Sequence, residues 1–221
     1  MWKESILNEF FNGNISNLAD FITMTLDLCQ RNQFLWWGNA HKYYMVLKQD
    51  MNRILQLEHE TQTSIISNLK ENYYRLVQIS EEYYALLCKY FPPQHDFNIQ
   101  LLASIAIGKF VLSQSEEAIK YAQEAFLCPH FGLVVEEKQR GYIHKILGDS
   151  ALKEKKHEIA WMHLYNQYQL IYELMDDKSK KQLISDLHTC KSLASIEFLV
   201  NNARQIEAIM PMFREVFGKF A

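Results

Sequence analysis

The chain has 221 residues, of which only 7 are glycine and 4 proline; 48% are hydrophobic, 22% charged, and the net charge is −3. Tight turns between strands consume Gly, Pro, Asn and Asp, so a Gly-plus-Pro content of about 5%, against roughly 12% in an ordinary chain, argues against a many-stranded sandwich or barrel and against Gly-rich phosphate loops. The slight acidic excess disfavours nucleic acid, whose binding rests on phosphate neutralisation, and the hydrophobic content argues against extensive disorder. An all-α fold remains.

The N-terminal MWKESILNEFFNGN carries acidic residues and no sustained apolar run, so it does not read as a signal peptide. No stretch approaches the roughly 20 apolar residues of a membrane span, and no membrane association is expected. Cys29, Cys88, Cys128 and Cys190 lie far apart, without CxxC spacing, and read as reduced thiols of a cytoplasmic protein. The sequon Asn14-Ile15-Ser16 has no secretory context around it.

Apolar residues recur at spacings of three and four almost throughout, the pattern of helices with one buried face. Asn12-Gly13-Asn14 ends a first short helix; a second runs to about residue 30, a third over 34–57 and a long fourth over 61–90. Pro92-Pro93 is a hard stop, because neither residue donates a backbone hydrogen bond and the residue before a proline avoids the helical region. The expected division, within what reads as one continuous α-domain, is a helical bundle over 1–91 and paired helices over 94–221: 97–112 with 115–127, 134–153 with 156–175, and 179–199 with 203–218. Ser115 before Glu116-Glu117 suits a hydroxyl-capped helix start, and Asp176-Asp177-Lys178-Ser179 offers caps to the helix after it.

Within these pairs small residues recur at fixed offsets. Ala118, Ala122 and Ala125 lie on one helix, with Ala106 twelve residues before Ala118 and Pro129 just after the helix; Leu147-Gly148 precedes Ala160 by the same twelve. The pattern resembles the tetratricopeptide repeat, in which small side chains let antiparallel helices approach closely. The resemblance implies antiparallel helical hairpins in a right-handed superhelix. Three departures stand against it: Ala106 and Gly148 are 42 residues apart where the standard repeat has roughly 34, Gln167 stands where Ala is expected, and the third pair offers only Ala194 and Ala203. Helical repeats behind an N-terminal bundle are also similar to the peptide-pheromone receptors of Gram-positive bacteria and their phages, although no helix-turn-helix signal and no room for their DNA-binding domain are found.

In tetratricopeptide arrays the first helix of each pair lines the concave face. Carried over from Gly148, those positions are Tyr142, Lys145, Asp149, Leu152 and Lys153, of which Tyr142, Lys145, Asp149 and Lys153 are the candidate partner-binding residues, able to hydrogen-bond an extended peptide or hold its carboxylate. The same helix face is also what an ordinary amphipathic helix shows to water. The matching positions of the earlier pair, Gln100, Ala103, Ile107, Phe110 and Val111, are mostly apolar and suit a partner helix or a core contact.

No constellation stands out for catalysis. His59-Glu60 opens like the HExxH zinc motif but has Thr63 where the second His belongs, and His157 and His163, six apart, do not share a helix face. His144 and Asp149, five apart, chelate poorly. Cys128-Pro129-His130 is the one close Cys and His, yet nucleophile and base normally come from separate elements. No metal and no cofactor are expected. Two aromatic groups, Phe34 to Trp37 with Tyr43-Tyr44, and Tyr73-Tyr74 with Tyr83-Tyr84, cannot all point inward, so core wrapping and an interface, including one between copies in a homo-oligomer, both stay open. The expected function is a non-catalytic module binding a protein or peptide in a helical groove. The alternatives are a small all-α enzyme or ligand-binding bundle, similar to haem-oxygenase-like and thiaminase-type families, and an assembly subunit or secretion chaperone.

Overall fold

A computed structural model describes residues 49–50, 52–54, 56–57, 70–89 and 95–218. The expected helices before residue 49, the Phe34–Trp37 and Tyr43-Tyr44 cluster, Cys29, the Asn14 sequon, His59-Glu60 and Pro92-Pro93 lie outside these residues. Among the described residues every regular element is helical, and no helix is long and apolar enough to cross a membrane. Internal contacts divide the chain into two compact units, 1–93 and 94–221.

In the first unit, α1 (Lys70–Leu87) buries Val77, Ile79, Tyr83, Leu86 and Leu87, and the helical residues before it bury Ile54 and Leu57 completely. Arg53 holds the Glu82 carboxylate with Nε and Nη2, both at 2.7 Å, and this pairing lowers the Glu82 pKa. Of the paired tyrosines, Tyr83 turns inward while Tyr74 is half exposed.

The second unit runs α2 (Asp96–Val111), α3 (Ser115–Phe126), the single turn α4 (Phe131–Val134), α5 (Glu137–Lys153), α6 (His157–Ile171), a 3₁₀ turn (Tyr172–Leu174), α7 (Asp177–Leu193), the short α8 (Ile196–Asn201) and α9 (Ala203–Phe217). Helix α2 packs on α3 and α5 on α6; α5 also contacts α2 and α3, α7 contacts α6, and α9 contacts α7.

Two hairpins, α2–α3 and α5–α6, are built the same way. Each first helix ends in a left-handed residue, Ser113 (φ 65°) and Lys155 (φ 59°). In the first, the Ser113 amide donates to Phe110 O (3.0 Å) and Gln114 to Lys109 O (2.9 Å); in the second, Lys155 donates to Leu152 O (3.0 Å) and Lys156 to Ala151 O (2.9 Å). This is the double closure of a Schellman cap. The second helices then start at Ser115 and His157, again 42 residues apart. Because the chain enters α3 from the left-handed Ser113, Gln114 takes the capping position and Ser115 is the first helical residue, without the side-chain cap its hydroxyl suggested.

Small residues set the helix separation. Ala118, Ala122, Ala125 and Ala160 are fully buried. On α5 two glycines face α6: a Cβ on Gly148 would meet Leu164 Cδ2 at 2.8 Å, and one on Gly141 would meet Ile171 Cγ2 at 2.4 Å. Gln167, at the position where a repeat carries alanine, is 1% exposed; its Oε1 has no partner and its Nε2 lies 3.9 Å from Met175 Sδ.

The third group departs from the expected 179–199 with 203–218. Asp176 caps α7 by accepting from the Ser179 amide at 2.9 Å. The helix stops at Leu193 because Ala194 is extended (ψ 155°) and Ser195 caps a new helix, accepting from Phe198 N at 3.2 Å. Glu158 at the start of α6 fixes that break, since its Oε1 accepts from Ser195 N (3.1 Å) and Ser195 Oγ (2.6 Å). Ala194 and Ala203 therefore sit at helix ends, the first half-buried and the second exposed. The core beneath is Trp161, Leu164, Tyr165, Leu183, Ile184, Leu187, Cys190, Ile209 and Phe213.

Candidate functional site

Helix α5 buries Gly141, Ile143, His144, Ile146, Leu147, Gly148, Ser150 and Ala151 between its neighbours. Tyr142, Lys145, Asp149 and Lys153 are among its residues that are not buried, and at 100° per residue they fall within an arc of about 80°. Tyr142 is 37% exposed and Lys153 is exposed in the last turn. Lys145 Nζ lies 3.0 Å from Asp149 Oδ2, one turn on, and 5.7 Å from the centre of the Phe110 ring on α2, within cation–π range. Leu152 does not line this face; it packs against the core shared by α6, α7 and α9.

On α2, Ala103 is fully buried, Ile107 and Phe110 are half-buried and Val111 is 42% exposed. Gln100 is exposed and its Nε2 donates to Val134 O at 3.1 Å. Helix α7 adds a residue the sequence did not single out, Asp186. Burial raises its carboxyl pKa; the Gln182 amide, bonded at 2.9 Å, opposes this, the Asp149 charge adds to it and the Lys145 charge opposes it. Lys145 thus contacts Phe110 of α2, and the charges of Lys145 and Asp149 both act on Asp186 of α7. Asp186 escaped notice because its segment carries no small-residue pattern that would have placed it opposite Asp149.

The other side of α5 holds a second arrangement. His144 of α5 and His163 of α6 meet with their Nδ1 atoms 3.0 Å apart and their rings tilted by 43°. Phe126 of α3 stands edge-on to both rings, at 5.6 and 5.1 Å between centres, and Phe131 edge-on to His144 at 6.3 Å. Burial, then the neighbouring His163 and Arg140, pull His144 down to about 4, and burial lowers His163 as well. A cavity of about 290 Å³, open to solvent, adjoins His163 and is lined also by Gln123, Phe126, Leu147, Ser150 and Ile159. The two histidines are 19 residues apart, and only the hairpin register brings them together.

Cys128 and His130 have separate engagements. The Cys128 thiol donates to Glu124 O at 3.2 Å and is raised by burial, whereas His130 Nδ1 lies 2.9 Å from Asp96 Oδ1. Among the described residues no three His, Cys, Asp or Glu side chains gather as a metal-binding group. Comparison with family models, curated proteins and solved structures returns no match.

Proposed function

We propose that residues 94–221 form a non-catalytic binding module, a tetratricopeptide-like right-handed array of helix pairs that receives a peptide or protein segment across α2, α5 and α7. The observation that carries this reading is Lys145, which reaches Phe110 of α2 while paired to Asp149 of α5, so that first helices of successive pairs contribute to one face. The matched hairpins, with their equal caps 42 residues apart, support a repeating architecture. An apolar stretch at Ile107, Phe110 and Val111 beside the charges of Lys145, Asp149 and Asp186 suits a segment with an apolar side chain and a neighbouring polar or charged group. Buried thiols at Cys128 and Cys190 accord with a cytoplasmic setting.

Selection of a displayed random peptide library on the full chain tests this. Enriched peptides should share a motif and lose affinity for the Lys145→Ala/Asp149→Ala variant, with helical circular dichroism unchanged. Enrichment of no motif, or binding indifferent to that variant, would remove the groove from consideration.

A further inference from the structure

Six large apolar side chains are exposed on three segments of the second unit: Phe126 and Leu127 at the end of α3, Ile159 and Met162 at the start of α6, and Ile196 and Val200 on α8. Single exposed apolar residues are ordinary, whereas a contiguous group marks a contact surface. Two connections make these contiguous. Phe126, Leu127 and Ile159 line the same open cavity of about 290 Å³, together with Leu147 of α5. Ser195 N and Oγ donate to Glu158 Oε1 at 3.1 and 2.6 Å, which pins the start of α8 to the start of α6 and brings the segment of Ile196 to that of Ile159.

This surface carries both halves of a self-complementary contact. Leu127, 78% exposed, projects at the rim of the cavity. The cavity, about 290 Å³, is far larger than the roughly 150 Å³ void left by trimming one buried apolar side chain, so it has room for a leucine from outside. Charge points to the same occupant. An isologous contact sets each patch against its own copy, so a patch with net charge repels itself. The charges lining the cavity cancel, Lys156 Nζ lying 2.6 Å from Glu154 Oε2, and His163 is neutral at pH 7 because burial lowers it. A strongly charged partner finds no opposite charge there, whereas a second copy meets no like one. We propose that this face joins two copies of the chain about a two-fold axis, with Leu127 of each entering the cavity of the other and Ile159, Met162, Ile196 and Val200 closing around it. Lys145 and Asp149 lie on the other side of α5, so the dimer does not use the peptide-binding face and stands or falls without it.

Sedimentation velocity on the full chain, from about 1 to 100 µM, tests this. The expected result is a monomer–dimer equilibrium that persists at about 1 M salt, as an apolar contact does. Leu127→Glu puts a carboxylate into the partner's cavity and should weaken dimerisation by about tenfold or more, with helical circular dichroism unchanged because the side chain is exposed in the monomer. Ile159→Glu should do the same, and carries the comparison if Leu127→Glu does not fold. Leu174→Glu, at an exposed leucine outside the patch, should dimerise as the wild type does, and so should Lys145→Ala/Asp149→Ala. A dimer that salt dissociates, or unchanged dimerisation in folded Leu127→Glu or Ile159→Glu, would overturn the contact. A monomer throughout would also overturn it and leave the face to a different protein.

Discussion

Gly141 lies so close to Ile171 that a Cβ built on it would stand 2.4 Å from Ile171 Cγ2 and 2.9 Å from Cγ1. Both carbons branch from Cβ, so no rotation of the Ile171 side chain clears them together. Gly141→Ala should therefore destabilise the protein by about 1–3 kcal/mol, even though alanine favours a helix interior by up to about 1 kcal/mol. Gly148→Ala, which meets the more adaptable Leu164, should cost less. Thermal melts of both variants check the order, and a neutral Gly141→Ala would mean that α5 and α6 separate freely.

The His144–His163 pair makes stability pH-dependent. In the unfolded chain a histidine takes up its proton near pH 6.5, whereas folded His144 holds out to about 4. Protons therefore bind the unfolded state preferentially, so the pair's contribution is complete above pH 6.5 and declines as pH falls from 6.5 towards 4. The loss should reach about 2 kcal/mol near pH 4.5. Urea unfolding at pH 7.5 and 4.5 measures it, and His144→Gln should flatten the slope. Equal slopes in the two proteins would contradict it.

Gln167 buries an amide oxygen that has no hydrogen-bond partner. Gln167→Met keeps the shape and removes the polar atom, and should raise stability by about 1 kcal/mol. Gln167→Ala, the residue a tetratricopeptide repeat would carry there, leaves a cavity and should lower it. A destabilised Gln167→Met, read from the chemical-denaturation midpoint, would indicate that the oxygen is satisfied after all.

Ser113 and Lys155 both adopt the left-handed conformation that glycine takes without a Cβ penalty. Ser113→Gly and Lys155→Gly should each stabilise by about 0.5–1 kcal/mol, the caps being the same and the turns exposed. The double variant should show the sum. If either substitution destabilises, its side chain contributes more than its backbone strain costs.

Lys145 and Asp149 form a half-buried pair one turn apart. Removing both should change stability by no more than about 0.5 kcal/mol, the usual worth of such pairs. A matching melting temperature in Lys145→Ala/Asp149→Ala would separate any effect on binding from an effect on folding.

Helical character was legible because Gly and Pro are scarce and the apolar spacing holds at three and four. The small residues were informative too: Ala118, Ala122, Ala125, Ala160 and Gly148 all sit at helix contacts. Gly141 was overlooked because nothing in its neighbours distinguishes a glycine at a crossing from one in a loop. His144 and His163 were invisible as a pair, since their meeting depends on a hairpin register that three-residue turns without glycine do not announce. The break at Ala194 is set by Glu158, 37 residues away from Ser195, and local sequence there reads as an uninterrupted helix. On the candidate face, Tyr142, Lys145, Asp149 and Lys153 come from the tetratricopeptide resemblance, counted from Gly148, and helical spacing says only that they share one face; Asp186 has no such pattern around it.

The equal Schellman closures bear on how the chain reaches its native state. Each turn joins two helices through three residues, so the first contacts to form connect positions near in sequence and the loop-closure penalty is small. Such a unit should collapse rapidly, hairpin by hairpin, with the bond between Glu158 and Ser195 among the last long-range links to lock. Single-exponential refolding on the millisecond scale or faster is the kinetic signature expected of that order.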